Sequence, residues 1–136
     1  MTTTDTITTK KLGTPNYLRS IEEAEELADE IIEAAKGTFY CGILPEASDI
    51  RATRNNLIES ALHEDWKTVE RYADSVEADL PGIEAKVCKL EAEASQMEAC
   101  GFDHKSTDLQ IRSWKRTYRA SEFEAVCYRL LAARLL

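Results

Sequence analysis

Cys100 and His104 stand four residues apart, a spacing at which a thiolate and an imidazole one helical turn apart can share a metal ion. A structural zinc site needs four ligands, usually as two close pairs, and neither Cys88 nor Cys127 has a second ligand nearby in the sequence. His63-Glu64 lacks the second histidine of a zinc-protease helix. No metal and no other cofactor is expected, and the thiols are read as small packing groups. Nucleophilic catalysis requires a Cys or Ser beside a base. The five glycines read as punctuation and form neither a nucleophile elbow nor a phosphate-cradling loop. The expectation is a non-enzymatic protein with no catalytic residue.

Charge patterning offers two binding surfaces instead. From Ser20 to Ala35 there are seven acids and no basic residue, and Glu22, Glu26, Asp29, Glu30 and Glu33 share one side of a helix. Like charges at three- and four-residue steps repel by a few tenths of a kcal/mol, roughly, per pair. Such a row is either a solvated outer face or a surface that imitates the phosphate track of nucleic acid. The second reading predicts a partner that normally handles DNA or RNA. Farther on, Arg112, Lys115, Arg116 and Arg119 form a basic stripe, with Trp114 and Tyr118 on another face. A pI near 4.8 argues against direct nucleic-acid binding and favours salt bridges to neighbouring acidic helices. Trp66 with Tyr72, and Trp114 with Tyr118, give their helices second apolar edges of the kind used in protein interfaces, including one between copies of the chain. The predicted partner-binding residues are therefore that acidic row and an aromatic and basic set of Trp66, Tyr72, Arg112, Trp114, Lys115, Tyr118 and Arg119.

These rows need helices to present them. At 136 residues and 43% hydrophobic content the chain is long enough for one core. It has no apolar run of membrane-spanning length, and Met1 to Thr9 lacks the basic start and apolar block of a signal peptide. Four unclustered cysteines suit a reducing cytoplasm. Residues 1–104 hold 22 of the 25 acids and 10 of the 17 basic residues, a net of −12, while residues 105–136 carry a net of +4. The basic tail is expected to pack on the acidic part of its own chain.

Residues 1–16 are Thr-rich and aperiodic, and are read as a disordered arm before a single helical domain over 17–136. Ser20 and Glu23 form a capping box that starts the first helix, with Ile21, Ala24, Leu27, Ala28, Ile31, Ile32 and Ala35 inward and Gly37 as its terminator. Phe39, Tyr40, Ile43 and Leu44 belong to a buried connector that bends at Gly42 and plugs one end. Pro45 suits the first turn of a second helix carrying Ile50, Leu57, Ile58, Ala61 and Leu62 inward. Asp65 offers a cap for a new helix, yet the stripe Ile58, Leu62, Trp66, Val69, Ala73, Val76, Leu80 keeps helical spacing across it, which favours a continuous or kinked helix. Residues 61–73 are similar to part of one tetratricopeptide unit, but no second copy follows about 34 residues on, so no repeat array is expected.

Leu80-Pro81-Gly82 predicts a helix end. The next stripe, Ile83, Val87, Leu90, Ala94 and Met97, advances by alternating four- and three-residue steps up to Gly101. A last helical stretch capped at Ser106 or Asp108 turns Leu109, Ile111, Trp114 and Tyr118 inward, then Phe123, Val126, Cys127, Leu130, Leu131 and Leu135. Ser121 and Glu124 permit a break within it. The sum is an all-α antiparallel bundle of four to six helices. The function expected of it is that of a small acidic cytoplasmic protein, without membrane contact, that occludes or scaffolds a protein partner. Inhibition of a nucleic-acid-handling protein through the acidic first helix is the alternative.

Overall fold

Ser20 caps the first helix as expected: its Oγ accepts from the Glu23 amide at 3.1 Å while Glu23 Oε1 accepts from the Ser20 amide at 2.9 Å. The structure, a computed structural model, describes residues 19–39 and 43–136. The predicted arm over 1–16, Leu18, Tyr40, Cys41 and the Gly42 bend lie outside the described residues. Within them the protein is all-helical, with four helices and no strand: α1 (Ile21–Thr38), α2 (Ala47–His63), α3 (Trp66–Ala99) and α4 (Lys105–Leu135).

Cross-helix pairs set the directions. Arg54 meets Asp29 at 2.6 Å and Arg134 meets Glu30 at 2.9 Å, while Phe39 packs on Phe123 with ring centroids 5.8 Å apart. α1 thus runs antiparallel to both α2 and α4. α2 runs parallel to α4, since Arg116 holds Asp49 and, farther along, Asn56 donates to Glu124. α3 and α4 form a long antiparallel hairpin, tied by Arg129 to Asp74 and Glu77 at one end and by Lys115 to Glu91 nearer the turn.

The helices differ in reach. At 1.5 Å per residue, α3 is about 51 Å long and α4 about 46 Å. The first turn of α2 stands level with Arg116, so residues 105–116 of α4 and the facing part of α3 extend past it as a two-helix arm about 16 Å long. The core lies at the other end. Ile31, Leu57, Val69, Phe123, Cys127 and Leu131 are all fully buried there, drawn from all four helices. The stripe through Val87, Leu90 and Ala94 is buried as predicted and closes the hairpin of α3 and α4, outside the cluster shared by all four helices.

Several expectations are corrected. The chain breaks at Glu64–Asp65, where Asp65 Oδ1 accepts from the Thr68 amide at 2.8 Å. The apolar stripe crosses this break because Ala61 and Val69, on successive antiparallel helices, enter the same core. No break occurs at Pro81-Gly82. Both residues are exposed, so the carbonyl left without a donor by Pro81 can be hydrated, while the other face of α3 stays against α4. At Ser121, where the sequence permits a break without requiring one, α4 is continuous, and Glu124 accepts from Asn56.

Gly37 lies inside α1, which closes at Phe39. Gly101 does terminate α3: at φ +78° it sends its amide to Glu98, and Phe102 sends its own to Met97, a pattern that satisfies the last carbonyls. α4 starts at Lys105, earlier than a cap at Ser106 or Asp108 would give, with Asp103 accepting from the Lys105 amide. Pro45 is buried and precedes the N-cap Glu46, so it lies just outside the helix. Ile43 is 73% exposed and Leu44 is partly so, leaving Phe39 alone of the described connector residues to seal the core. Ile21 and Leu109, both assigned inward, are exposed. No described helix is long and apolar enough to cross a membrane.

Candidate binding surfaces

α1 displays its acidic row on the exposed side opposite Ala24, Ala28, Ile31 and Ala35. Three of the five predicted carboxylates already hold cations of the chain: Asp29 with Arg54, Glu30 with Arg134 and Glu33 with Lys36. The Arg54 hydrogen bond holds the Asp29 carboxyl below its ordinary range. Glu22 and Glu26 alone have no ion pair among the described residues. Three of the five are thus paired from within the chain, by Lys36 of α1 itself, by α2 and by the basic end of α4.

The aromatic and basic set divides in two. Trp66 starts α3 and packs half-buried against the core, its indole Nε1 enclosed without a partner and Lys67 Nζ 5.6 Å from the ring centroid. Tyr72 stacks on Tyr128 with centroids 5.6 Å apart, and burial is the first cause of its raised pKa. These two serve the four-helix end. Arg112, Trp114, Lys115, Tyr118 and Arg119 stand toward the arm, with Tyr118 about 15 Å along α4 from the level of Tyr72, which pairs with Tyr128.

Trp114 and Tyr118 flank α3 on opposite edges. Trp114 lines an open cavity of about 490 Å³ with Asp79, Gly82, Ile83 and Lys86. Tyr118 lines one of about 230 Å³ with Glu84, Val87, Lys115 and Arg119. Burial, then the charges of Glu122 and Glu84, raise the Tyr118 pKa. Beyond them, at the end of the arm, Phe102 is 66% and Leu109 60% exposed, two apolar side chains the sequence reading did not select for binding. Recognising them would have required knowing that α1 and α2 stop short of the arm.

The predicted salt bridging of the basic stripe is found for two of its four members. Lys115 meets Glu91 at 3.1 Å, and Arg116 meets Asp49 at 2.9 Å and Glu46 at 3.4 Å. Arg112 and Arg119 have no anionic partner among the described residues, and Arg119 Nε is enclosed without an acceptor.

Cys100 is exposed at the end of α3, while His104 Nδ1 lies 2.9 Å from Asp108 Oδ2 and so is engaged within its own helix. Among the described residues no three His, Cys, Asp or Glu side chains gather in a metal-holding group. Cys127 alone of the described thiols is buried; Cys88 and Cys100 are exposed, contrary to a packing role for them. No protein family, curated protein or solved structure matches this chain.

Proposed function

We propose that this chain is a non-enzymatic binding protein that occludes or scaffolds a protein partner, with the arm of a four-helix bundle as its docking surface. The observation that carries this reading is the exposure of Phe102 and Leu109 on a two-helix projection whose side also presents Trp114. Each helix of the arm buries one face against the other and leaves its remaining faces to solvent, an arrangement suited to a partner groove or helix. The nucleic-acid mimic has less support, because Asp29, Glu30 and Glu33 are occupied by Arg54, Arg134 and Lys36.

The test is comparative capture from lysate, with mass spectrometry at low and high salt. A protein retained by the wild-type chain at high salt, and lost with Phe102→Ser/Leu109→Ser or Trp114→Ala, supports docking through the arm. Capture that survives these changes but is lost with Glu22→Lys/Glu26→Lys, and is sensitive to salt, favours the acidic face instead.

A further inference from the structure

Beneath the first turn of α2, the basic face of α4 forms a ledge. It encloses a cavity of about 330 Å³ lined by Arg112, Ser113, Lys115, Arg116, Arg119 and Glu46. Arg112 and Arg119 each stand three and four residues from Lys115 and Arg116, so the four cations repel one another on the helix surface. Arg116 is fixed by Asp49 and by Ser48 Oγ at 3.0 Å, and Lys115 by Glu91, but the charges of Arg112 and Arg119 are unanswered. Arg119 Nε is itself enclosed, with no acceptor among the described residues.

The ledge continues into a second space. Lys115 and Arg119 also line the 230 Å³ cavity floored by Tyr118 and Val87, with Glu84 at its side. Arg119 lines both cavities, so an oxyanion held by Arg112 and Arg119 in the first borders the space beside Tyr118 in the second. Guanidinium forks suit phosphate oxygens, an aromatic ring suits a flat heterocycle, and a carboxylate accepts from an amino group or a hydroxyl. Size and surroundings decide against a polyanion: Glu46 and Glu84 line the two cavities and would oppose a run of phosphates.

We propose that the α2–α4 ledge and the adjoining Tyr118 cavity bind a nucleoside monophosphate, the phosphate between Arg112 and Arg119 and the base beside Tyr118. This goes beyond the protein docking above, which uses the Trp114 edge and the tip of the arm, and stands or falls separately from it.

The experiment is isothermal titration of the full chain with AMP, GMP, CMP, UMP, ribose 5-phosphate and inorganic phosphate at near-physiological salt. At least one nucleotide should bind tenfold or more tightly than inorganic phosphate. Arg112→Gln/Arg119→Gln should weaken that nucleotide at least tenfold with the helical circular dichroism unchanged. Tyr118→Leu should weaken the nucleotide but not ribose 5-phosphate. The exposed single change Arg112→Glu provides the same comparison if the double variant is unstable, and amide shifts on titration should concentrate at 84–88 and 112–119. No saturation by any nucleotide at millimolar concentration, equal affinity for nucleotide and phosphate, or wild-type binding by the arginine variants would overturn the proposal.

Discussion

Arg116 grips Asp49 with two nitrogens, Nε at 2.9 Å from one carboxylate oxygen and Nη2 at 3.2 Å from the other, joining the first turn of α2 to the middle of α4. The fork is a side-on, charge-assisted pair, stronger than a single contact. It also holds the upper wall of the basic ledge, since Glu46 lies 3.4 Å from the same guanidinium.

Arg116→Ala should therefore loosen the start of α2 more than it destabilises the whole protein. Both partners are partly exposed, so the loss of global stability in urea denaturation should be small. Amide exchange should report it locally, with faster exchange at 48–52 and none at 69–73 in the core. Equal acceleration at both places would refute the pairing as a local clamp.

A different scale applies to Phe123, fully buried where α4 meets Phe39 of the α1 end. Phe123→Ala removes a ring from the cluster shared by all four helices and should cost about 3–5 kcal/mol. Leu90→Ala, in the hairpin seam, removes a side chain with only α4 to pack against and should cost less, roughly 2–3 kcal/mol, near the low end for buried leucine. Urea midpoints of the two variants give the comparison. A costlier Leu90 change would place the main core in the hairpin and not at the four-helix end.

The four-and-three spacing of Ile83, Val87, Leu90, Ala94 and Met97 marks a stripe that is buried at Val87, Leu90 and Ala94. What spacing did not convey was its place in the fold, because a four-and-three rhythm looks the same for one partner helix as for three. The capping box at Ser20 and the glycine stop at Gly101 were legible for a local reason: each acts within a few residues of itself. Pro81-Gly82 misled because the continuity of α3 is enforced by α4, and Asp65 was undervalued because a stripe that crosses a turn into an antiparallel helix keeps its period. For the binding residues, sequence located the charges on α1 and α4 and the packing of the basic tail on acidic helices, but not the particular pairs, Arg54 of α2 with Asp29 and Arg134 with Glu30, which depend on packing 25 residues apart in one case and far more in the other.

Gly82 lies within α3, exposed, with open space where a Cβ would project and no left-handed backbone to require glycine. Gly82→Ala should raise stability by roughly 0.5–1 kcal/mol, the ordinary gain of alanine over glycine inside a helix. A matching Gly101→Ala should be destabilising despite equally open surroundings, because Gly101 adopts φ +78°. Thermal melts of the pair decide it: an unfavourable Gly82→Ala would mean that α3 depends on local flexibility beside Pro81.

Cys127 is fully buried, and that burial, with the charge of Glu124 adding to it, pushes its thiol up to about 12. An unfolded thiol titrates near 8.5, so the folded protein retains the proton to higher pH and stability falls as pH rises from about 8.5 toward the folded value. Alkylation at pH 8 followed by peptide mapping should label Cys88 and Cys100 promptly and Cys127 only at the rate of unfolding. Labelling of Cys127 at the rate of the exposed pair would contradict its place in the core.

Asp65 offers the complementary case at low pH. Its carboxylate accepts from the Thr68 amide, which holds its pKa below the ordinary range, with smaller help from Arg71 and Lys67. Its unfolded value is about 3.9, so the unfolded chain takes up the proton first as pH falls. The stabilisation is complete above that value and disappears as pH drops through the folded one. At pH 7 Asp65→Ala should cost roughly 0.5–2 kcal/mol, the usual loss of a helix cap, and Asp65→Asn much less because the amide oxygen can still accept. The Asp65→Ala deficit should shrink on acidification below about pH 4, followed by denaturation at a series of pH values. An alanine variant as stable as wild type at pH 7 would mean that Ala61 and Val69, buried on either side, set the turn between α2 and α3 without the cap.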